Sequence, residues 1–473
     1  MIKLWNTLTH TREVFGSIHP QEVRIYSCGP TVYGRAHVGN LRGYVVWDVL
    51  KRLFRAQGYK VVDAMNITDV GHLTDDADSG EDKLQKKAQE QGESAWDIAK
   101  KYEELFKQDT HALNIILPQG ELLCRATDHI QDQIKMVETL LDKGFAYQIS
   151  DGIYFDTAKF PEYGKLSGQK LEEKKEGARV AQNQEKHNPT DFALWKFSYP
   201  NGRDYNPDLD KDIPKRHMEW QSPWGLGFPG WHIECSAMSS LYLGQPFDIH
   251  TGGVDHIAVH HENEIAQSMA THGVALAKFW LHNEFLTVDG QKMSKSLGNV
   301  YTLEDCQKHN IDPLALRYFY LGAHYRTKLN FTWDAVQGAQ NALNKLRETV
   351  REWDETTKEV DLEWKAQFLE KIDDDIDTPG ALAVLWGLVK SDLESSKKSA
   401  TILFFDSILG LGLDKYIAQG INVPNNIKKL ADRRWEARIN KDWALADQLR
   451  NELETLGWKM EDADQGYKLK PLT

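Results

Sequence analysis

Cysteine is scarce: the 473 residues contain four, Cys28, Cys124, Cys235 and Cys306, and no two have CxxC spacing. That excludes a disulfide framework and leaves reduced thiols or a metal site. No apolar run approaches the ~20 residues needed to cross a bilayer. The opening Met-Ile-Lys-Leu-Trp-Asn has no signal-peptide pattern, so a cytoplasmic protein without a membrane partner is expected. Positive charge is also short. The net charge is -13 and the pI near 5.7, which argues against a general nucleic-acid coat but not against a local basic face. There is no G-x-x-x-x-G-K-[ST] loop and no G-x-G-x-x-G after a strand, so neither a P-loop NTPase nor a dinucleotide dehydrogenase is indicated.

What is present centres on Cys28-Gly-Pro-Thr-Val-Tyr-Gly-Arg-Ala-His37-Val-Gly-Asn40-Leu-Arg42. Residues 22–28 alternate apolar and polar. Residues 41–54 carry Val45, Val46, Val49, Leu50, Leu53 and Phe54 at helical spacing, and residues 60–65 read as a second strand. This βαβ unit delivers Cys28 and His37 to the carboxyl end of a parallel sheet, where such folds bind ligands. A polar cluster, Asn66-Ile-Thr-Asp69, ends the second strand. Residues 74–94 read as a solvated charged segment. Helical patterns follow at 95–113 and 129–143, then short strands and turns, and the block at 116–215 reads as an insertion.

Trp220, Trp224 and Trp231 lie among glycines and prolines up to Cys235. Tryptophans this dense suit a core, yet the glycine and proline content predicts a loop walling a ligand pocket. Residues 247–255 read as a strand running into a glycine turn, and 259–270 as a helix. After Lys292-Met-Ser-Lys-Ser296 the chain is mostly helical, with amphipathic periods at 335–348, 379–393 and 427–456. The expected class is therefore α/β: a Rossmann-like parallel-sheet catalytic domain with an inserted domain, followed by α-helical C-terminal domains.

His260 and Glu264, four apart, project from one helix face and make a workable metal pair. A solvated polar face shared with His256, His261 and Glu262 is the alternative. Cys28 and Cys235 read as ordinary buried thiols or as ligands. If the four meet, the set is Cys2HisGlu, a donor group suited to zinc. Lys292 and Lys295 read as surface charge or, at a sheet edge, as neutralisers of a triphosphate.

Residues 30–40 resemble the His-Ile-Gly-His signature of class I aminoacyl-tRNA synthetases, and residues 292–296 match their Lys-Met-Ser-Lys-Ser loop. Within the class, Cys28-Gly-Pro-Thr-Val-Tyr33, Asn66-Ile-Thr-Asp69, Asp191-Phe-Ala-Leu-Trp-Lys196, Gly230-Trp-His-Ile-Glu-Cys-Ser-Ala-Met238 and His260-His-Glu-Asn-Glu-Ile-Ala-Gln267 resemble the cysteinyl-tRNA synthetase family, over nearly the whole chain. The resemblance implies one Zn2+ per chain held by Cys28, Cys235, His260 and Glu264 and binding the substrate cysteine's thiolate. It implies that His37, Asn40, Lys292 and Lys295 act on the phosphates of ATP, used with Mg2+. Gly39, Gly252, Gly253, Asp255 and Ser294 match nucleotide-binding positions, and Gly29, Thr68 and Trp231 match the cysteine pocket. The implied partners are cysteine, ATP and tRNA(Cys), and a monomer is expected. Three positions depart from the family: Asn40 replaces a second histidine, Thr251 a nucleotide-turn glycine, and Cys124 a proline.

The implied domains are a catalytic domain at 1–115 and 216–300, a connective insert at 116–215, a stem and helical bundle at 301–419 and an anticodon-binding domain at 420–473. In the last, Lys428, Lys429, Arg433, Arg434 and Arg438 near Trp435 suit either a solvated face or an RNA backbone with an unstacked base. Two rivals share the zinc site: a tRNA-independent cysteine ligase of the mycothiol type, and a non-catalytic zinc-bearing RNA-binding protein. The presence of a C-terminal domain weighs against the first, and the complete lysine loop against the second.

Overall fold

The computed structural model describes residues 1–71, 82–168, 183–210, 215–294, 297–356, 359–419, 423–463 and 466–471. Its centre is a parallel sheet of five strands: β1 (Glu22–Ser27), β2 (Lys60–Ile67), β3 (Leu123–Arg125), β4 (Phe247–Gly253) and β5 (Ala277–Asn283). Their spatial order is β5-β4-β1-β2-β3. Val23, Ile25 and Tyr26 are all buried, as expected for a strand covered on both faces. Between β1 and β2 runs helix α1 (Val38–Ala56). It carries the apolar spacing read in the sequence, and 14 of its 19 residues are buried.

The chain leaves β1 toward β2 on one side, whereas β4 lies on the other. Ile25 faces Ile249, and Ser27 faces Thr251. The order of strands therefore reverses between β1 and β4, and the crevice beyond their carboxyl ends is where such sheets bind ligands. Cys28 sits at its mouth, its N–H donating to the Thr251 carbonyl (3.2 Å).

A second five-stranded sheet, antiparallel, is built from Ala146–Ile149, Gly152–Phe155, Phe192–Phe197, Gly225–Pro229 and Trp220–Ser222. Its strands extend past residue 215, while Leu123–Arg125 belongs to the central sheet, so the expected ends of the insertion coincide with the ends of neither sheet. The spacing G-x-G-x-x-G does occur at Gly225, Gly227 and Gly230, but its first two glycines lie inside an antiparallel strand rather than in a phosphate turn. The expected loop up to Cys235 is instead two short strands followed at once by helix α2 (Trp231–Leu243), in which Cys235 lies. Helix α3 (His260–His272) follows β4.

Beyond β5, Gln291–Lys292 pairs antiparallel with Leu286–Val288, which pairs parallel with Leu329–Phe331. Helices then dominate: Pro313–Leu321, Trp333–Arg351, Leu362–Ile372, Thr378–Lys390 and Ser395–Leu409. They share one apolar core with α1. The segment read as one amphipathic run at 427–456 is two helices, α4 (Asn425–Ile439) and α5 (Trp443–Thr455), and a hairpin of Trp458–Ala463 with Gly466–Pro471 closes the chain. This unit has its own core of Ile427, Leu430, Ala431, Leu449, Leu453 and Met460.

Candidate metal and nucleotide site

The switch point gathers the predicted metal donors. One ligand atom each from Cys28, Cys235, His260 and Glu264 lies within 4.8 Å of the other three, and a second such group is Cys28, His250, His261 and Glu264. Four different elements supply them: the turn after β1, the first turns of α2, the middle of β4 and the start of α3. Glu264 is fully buried and takes a histidine on each oxygen, His260 Nε2 at 2.8 Å and His250 Nε2 at 2.6 Å. Burial works to raise its carboxyl, but His250 and His260 outweigh burial and hold it well below the carboxylate range. Burial likewise opposes the charged form of His260, yet Glu264 and Cys235 push it up to about 10.

The thiols differ. Burial and the adjoining Cys235 drive Cys28 well up, whereas its hydrogen bond with Cys28 lowers Cys235. Two thiols and a carboxylate thus crowd one buried site, where negative charge on Cys235 and Glu264 opposes charge on Cys28. A divalent cation relieves that conflict, and sulfur, imidazole and carboxylate donors together suit zinc.

A histidine network backs the cluster. His232 Nδ1 lies 2.9 Å from His260 Nδ1, Cys28 Sγ lies 3.2 Å from His261 Nε2, and His261 Nδ1 lies 2.8 Å from His282 Nε2, whose other nitrogen meets Thr7 Oγ1 at 2.8 Å. Such outer partners fix ring orientation. Sequence reasoning passed over His250, although an imidazole in the strand that runs into the glycine turn at Gly252 and Gly253 was a usable signal. Gly252 makes room for these rings: a Cβ there would lie 2.6 Å from both His256 Nδ1 and His261 Cε1.

The side predicted to hold the nucleotide is built on the N-terminus of α1. His37 is its cap. The N–H groups of Gly39 and Asn40 both donate to His37 Nδ1 (3.2 Å), and the His37 N–H donates to Asn40 Oδ1 (3.2 Å). This reciprocal box satisfies N–H groups that a helix start leaves unpaired. Burial lowers the pKa of His37, so at neutral pH the ring is neutral. With Nδ1 accepting, its proton sits on Nε2, which becomes a donor. The segment after the lysine loop is stitched to this cap, Val38 N–H donating to Tyr301 O (2.8 Å), and Met293 packs against Gly39. Ser294 N–H donates to Asn299 Oδ1 (2.8 Å), and Asn299 Nδ2 donates to the Lys292 carbonyl (3.2 Å). Lys292 is exposed. Lys295 lies outside the described residues.

The remaining predicted positions border the crevice. The Trp231 ring centre is 4.7 Å from that of His260. The Thr68 hydroxyl donates to Glu234 Oε2 (2.9 Å) and accepts from Asn66 Nδ2 (2.9 Å), bracing α2 one residue before Cys235. Gly29 N–H donates to Asn66 Oδ1 (2.7 Å). Gly253 N–H donates to His256 Nδ1 (3.3 Å), and Asp255 is exposed beside it.

A profile of the class I (C) tRNA synthetase catalytic domain matches residues 14–341. The chain is 49% identical to cysteine–tRNA ligase 1 of Burkholderia lata over 469 residues, 99% of this chain and 96% of that one. The chain belongs to the cysteine–tRNA ligase family. It is also 40% identical to the cysteine–tRNA ligase of Treponema denticola, over 98% of each chain. Solved structures share the class I fold at low identity. A methionyl-tRNA synthetase of Mycobacterium tuberculosis in complex with methionyl-adenylate superposes with a TM-score of 0.52 at 15% identity, covering 84% of this chain and 91% of that one. The Agrobacterium radiobacter LeuRS in ternary complex with tRNA and LeuAMS gives 0.55 at 12%, covering 86% of each.

Within this cysteine–tRNA ligase family fold, the departures have local explanations. Asn40 completes the helix cap. Thr251 Oγ1 donates to Ser27 Oγ (2.9 Å), fastening β4 to β1 at the switch point. Cys124 is buried, its thiol donating to the Met65 carbonyl (3.4 Å). The C-terminal basic face is narrower than the sequence implies. Arg434 is buried and donates to Asp462 Oδ1 (2.9 Å), and Arg438 pairs with the same carboxylate. Both tie α4 to the terminal hairpin, leaving Lys428, Lys429 and Arg433 exposed. Trp435 packs on this small core and toward Tyr467. Among the described residues, no helix is long and apolar enough to cross a membrane.

Proposed function

We propose that this protein activates cysteine with ATP to cysteinyl-adenylate and transfers the cysteinyl group to the 3′ end of tRNA(Cys). The observation that carries the reading is the convergence of Cys28, Cys235, His260 and Glu264 on the switch point of the sheet. In the first step the cysteine carboxylate attacks the α-phosphate, a P–O bond to the β-phosphate breaks, and pyrophosphate leaves. Such a reaction asks for alignment and charge cancellation more than for covalent help. His37, donating from Nε2, and Asn40, at the positive end of α1, suit the phosphates. Lys292 and Lys295 neutralise the departing pyrophosphate, Ser294 and Gly39 line its path, and Gly252, Gly253 and Asp255 border the adenosine. In the second step the terminal ribose hydroxyl of tRNA attacks the acyl carbon, and AMP leaves.

Cys28, Cys235, His260 and Glu264 hold one zinc ion in this reading, with Gly29, Thr68 and Trp231 around the bound amino acid. When bound, zinc supplies a soft Lewis acid that favours the thiolate of cysteine over the hydroxyl of serine, a distinction that an apolar pocket alone makes only weakly. The division proposed is a catalytic body at 1–115 and 216–300, an insert at 116–215, a stem and bundle at 301–419 and an anticodon-binding unit at 420–473, with Leu123–Arg125 given to the catalytic sheet and Trp220–Ser222 and Gly225–Pro229 to the sheet of the insert. The protein acts as a cytoplasmic monomer, with ATP supplied as its Mg2+ complex.

The test is exchange of pyrophosphate into ATP, with cysteine or serine, alongside metal analysis and charging of tRNA(Cys). Cysteine-dependent exchange, one zinc per chain and rejection of serine are expected. A metal-free protein that activates cysteine and still rejects serine would refute the zinc role, and absence of exchange would refute the whole reading.

A further inference from the structure

Arg42 lies on α1 just past its first turn, fully buried. A buried guanidinium ordinarily faces a carboxylate. This one faces four backbone carbonyls instead. Its Nη1 donates to Glu284 O (2.9 Å) and Phe285 O (3.0 Å), and its Nη2 donates to His324 O (3.0 Å) and Thr327 O (2.7 Å). Every Nη hydrogen is thereby engaged. Burial brings the guanidinium down to about 10, which leaves it charged at neutral pH.

The two carbonyl pairs belong to separate segments with one destination. Glu284 and Phe285 lead into the Leu286–Val288 strand, and His324 to Thr327 lead into Leu329–Phe331, its parallel neighbour. The segments are also bonded to each other, Glu284 N–H to Tyr325 O (2.8 Å) and Leu329 N–H to Phe285 O (3.2 Å). The third strand of this sheet is Gln291–Lys292, with Lys292 opposite Thr287. From Arg42 the connection to Lys292 thus runs through the Phe285 carbonyl, along the strand that Phe285 leads into, and across its pairing at Thr287. In the other direction, the first turns of α1 run from Arg42 back to the His37 and Asn40 cap.

We infer that Arg42 is a positioning residue whose guanidinium locks the lysine-bearing hairpin to the signature helix, so that both flanks of the triphosphate site keep one separation. The inference rests on the adenylation reading above, in which Lys292 and His37 act on the same phosphates. Because the acceptors are carbonyls, the clamp constrains main chain, which side-chain partners would not. Only a planar fork with two outward nitrogens can face both pairs; a lysine places all its donors on one nitrogen.

The test is Arg42→Lys in the full-length protein. Metal content and the KM for cysteine should match wild type, while kcat for cysteine-dependent pyrophosphate exchange falls on the order of 10 to 100-fold, the effect of a displacement of about 1 Å at a reacting group. Amide hydrogen exchange should rise in 284–292 and 324–331 and stay unchanged in β1 and α3. In a Lys292→Ala background the same substitution should add little further loss. Should Arg42→Lys fail to fold, Gly43→Ala probes the same junction, because its Cβ would sit 2.8 Å from Asn283 Oδ1, and Asn283 directly precedes Glu284. It should show the same split between kcat and KM. Unchanged kcat in whichever variant folds would overturn the inference, as would a loss shared with metal content and with exchange protection across the whole molecule. If wild type itself shows no cysteine-dependent exchange, the adenylation reading fails instead.

Discussion

Replacing Gly29 with alanine should damage stability and adenylation together, and the size of both effects follows from one contact. A Cβ at this position would lie 1.7 Å from the Asn66 carbonyl oxygen and 2.9 Å from Asn66 C and Met65 Cγ. Non-bonded contact begins above about 3 Å, so the turn after β1 and the end of β2 must part by roughly 1.5 Å. The Asn66 carbonyl has little freedom to swing aside, because Asn66 pairs with Cys124 on β3 while its side chain holds Gly29 N–H and Thr68. Overpacking of this severity costs about 3 kcal/mol. That is about 3 °C in Tm if the whole chain unfolds as one unit, and more if a smaller unit unfolds by itself. Cys28 is the preceding residue and must share the displacement. Misplacing a reacting group by about 1 Å costs on the order of 10²-fold, and that is the expected fall in cysteine-dependent exchange. Gly34→Ala is the control, since a Cβ there meets nothing within 4 Å, and its Tm should hold within about 1 °C. Thermal unfolding and exchange assays on both variants decide the matter. A Gly29→Ala protein with wild-type Tm and exchange rate would show that the turn yields without moving Cys28.

Three further outcomes are expected. Burial, opposed by donors from Thr127, raises the Asp69 carboxyl to about 6. A folded pKa above the unfolded value gives stability that is complete below about pH 4 and is lost as pH rises through 6; Asp69→Asn should therefore be more stable than wild type by about 2 kcal/mol at pH 7 and equal to it near pH 4 in urea unfolding. A constant difference across that range would contradict the assignment. Arg317 and Asp48 form a fully buried pair (2.6 Å), and Arg317 also donates to the carbonyls of Leu113, Asn114 and Leu409. Arg317→Met should cost about 3 to 5 kcal/mol, because buried Asp48 is left with Arg52 and the Ile116 N–H and three carbonyls lose this donor, and a Tm within about 1 °C of wild type would refute this. Ending the chain after residue 419 removes a unit with its own core, so cysteine-dependent exchange should survive while tRNA charging drops steeply. Equal charging would leave Lys428, Lys429 and Arg433 as a merely solvated face.

How much of this was legible in the sequence depends on how local each signal is. The strands at 22–28 and 60–65 and the helices at 95–113 and 129–143 were readable because one face of each repeats within a few residues, and the structure ends them within a residue or two of those limits. Helix α2 was not readable. Its residues from His232 to Ser239 are all buried, so it has no polar stripe to mark a helical period, and the glycines and prolines before it pointed to a loop. Cys28 and Cys235 meet because α2, which carries Cys235, packs against β1 and β2, a long-range contact that no spacing rule contains; resemblance supplied that expectation, and the fold gives a geometric reason for it. The C-terminal basic face was overread for the reverse reason. Arg434 and Arg438 look free in sequence because their partner, Asp462, comes from a hairpin beyond the next helix.

Asn40 shows the limit of reading by identity. As a letter it is a lost histidine. As a side chain at the third position of α1, it needs an acceptor within reach of the His37 N–H, and its amide oxygen provides one at 3.2 Å. It keeps an amide donor besides, so the phosphate role proposed for it asks for no group that titrates. The departure therefore falls on proton transfer, which adenylation does not ask of this residue, and spares the helix cap on which the orientation of His37 depends.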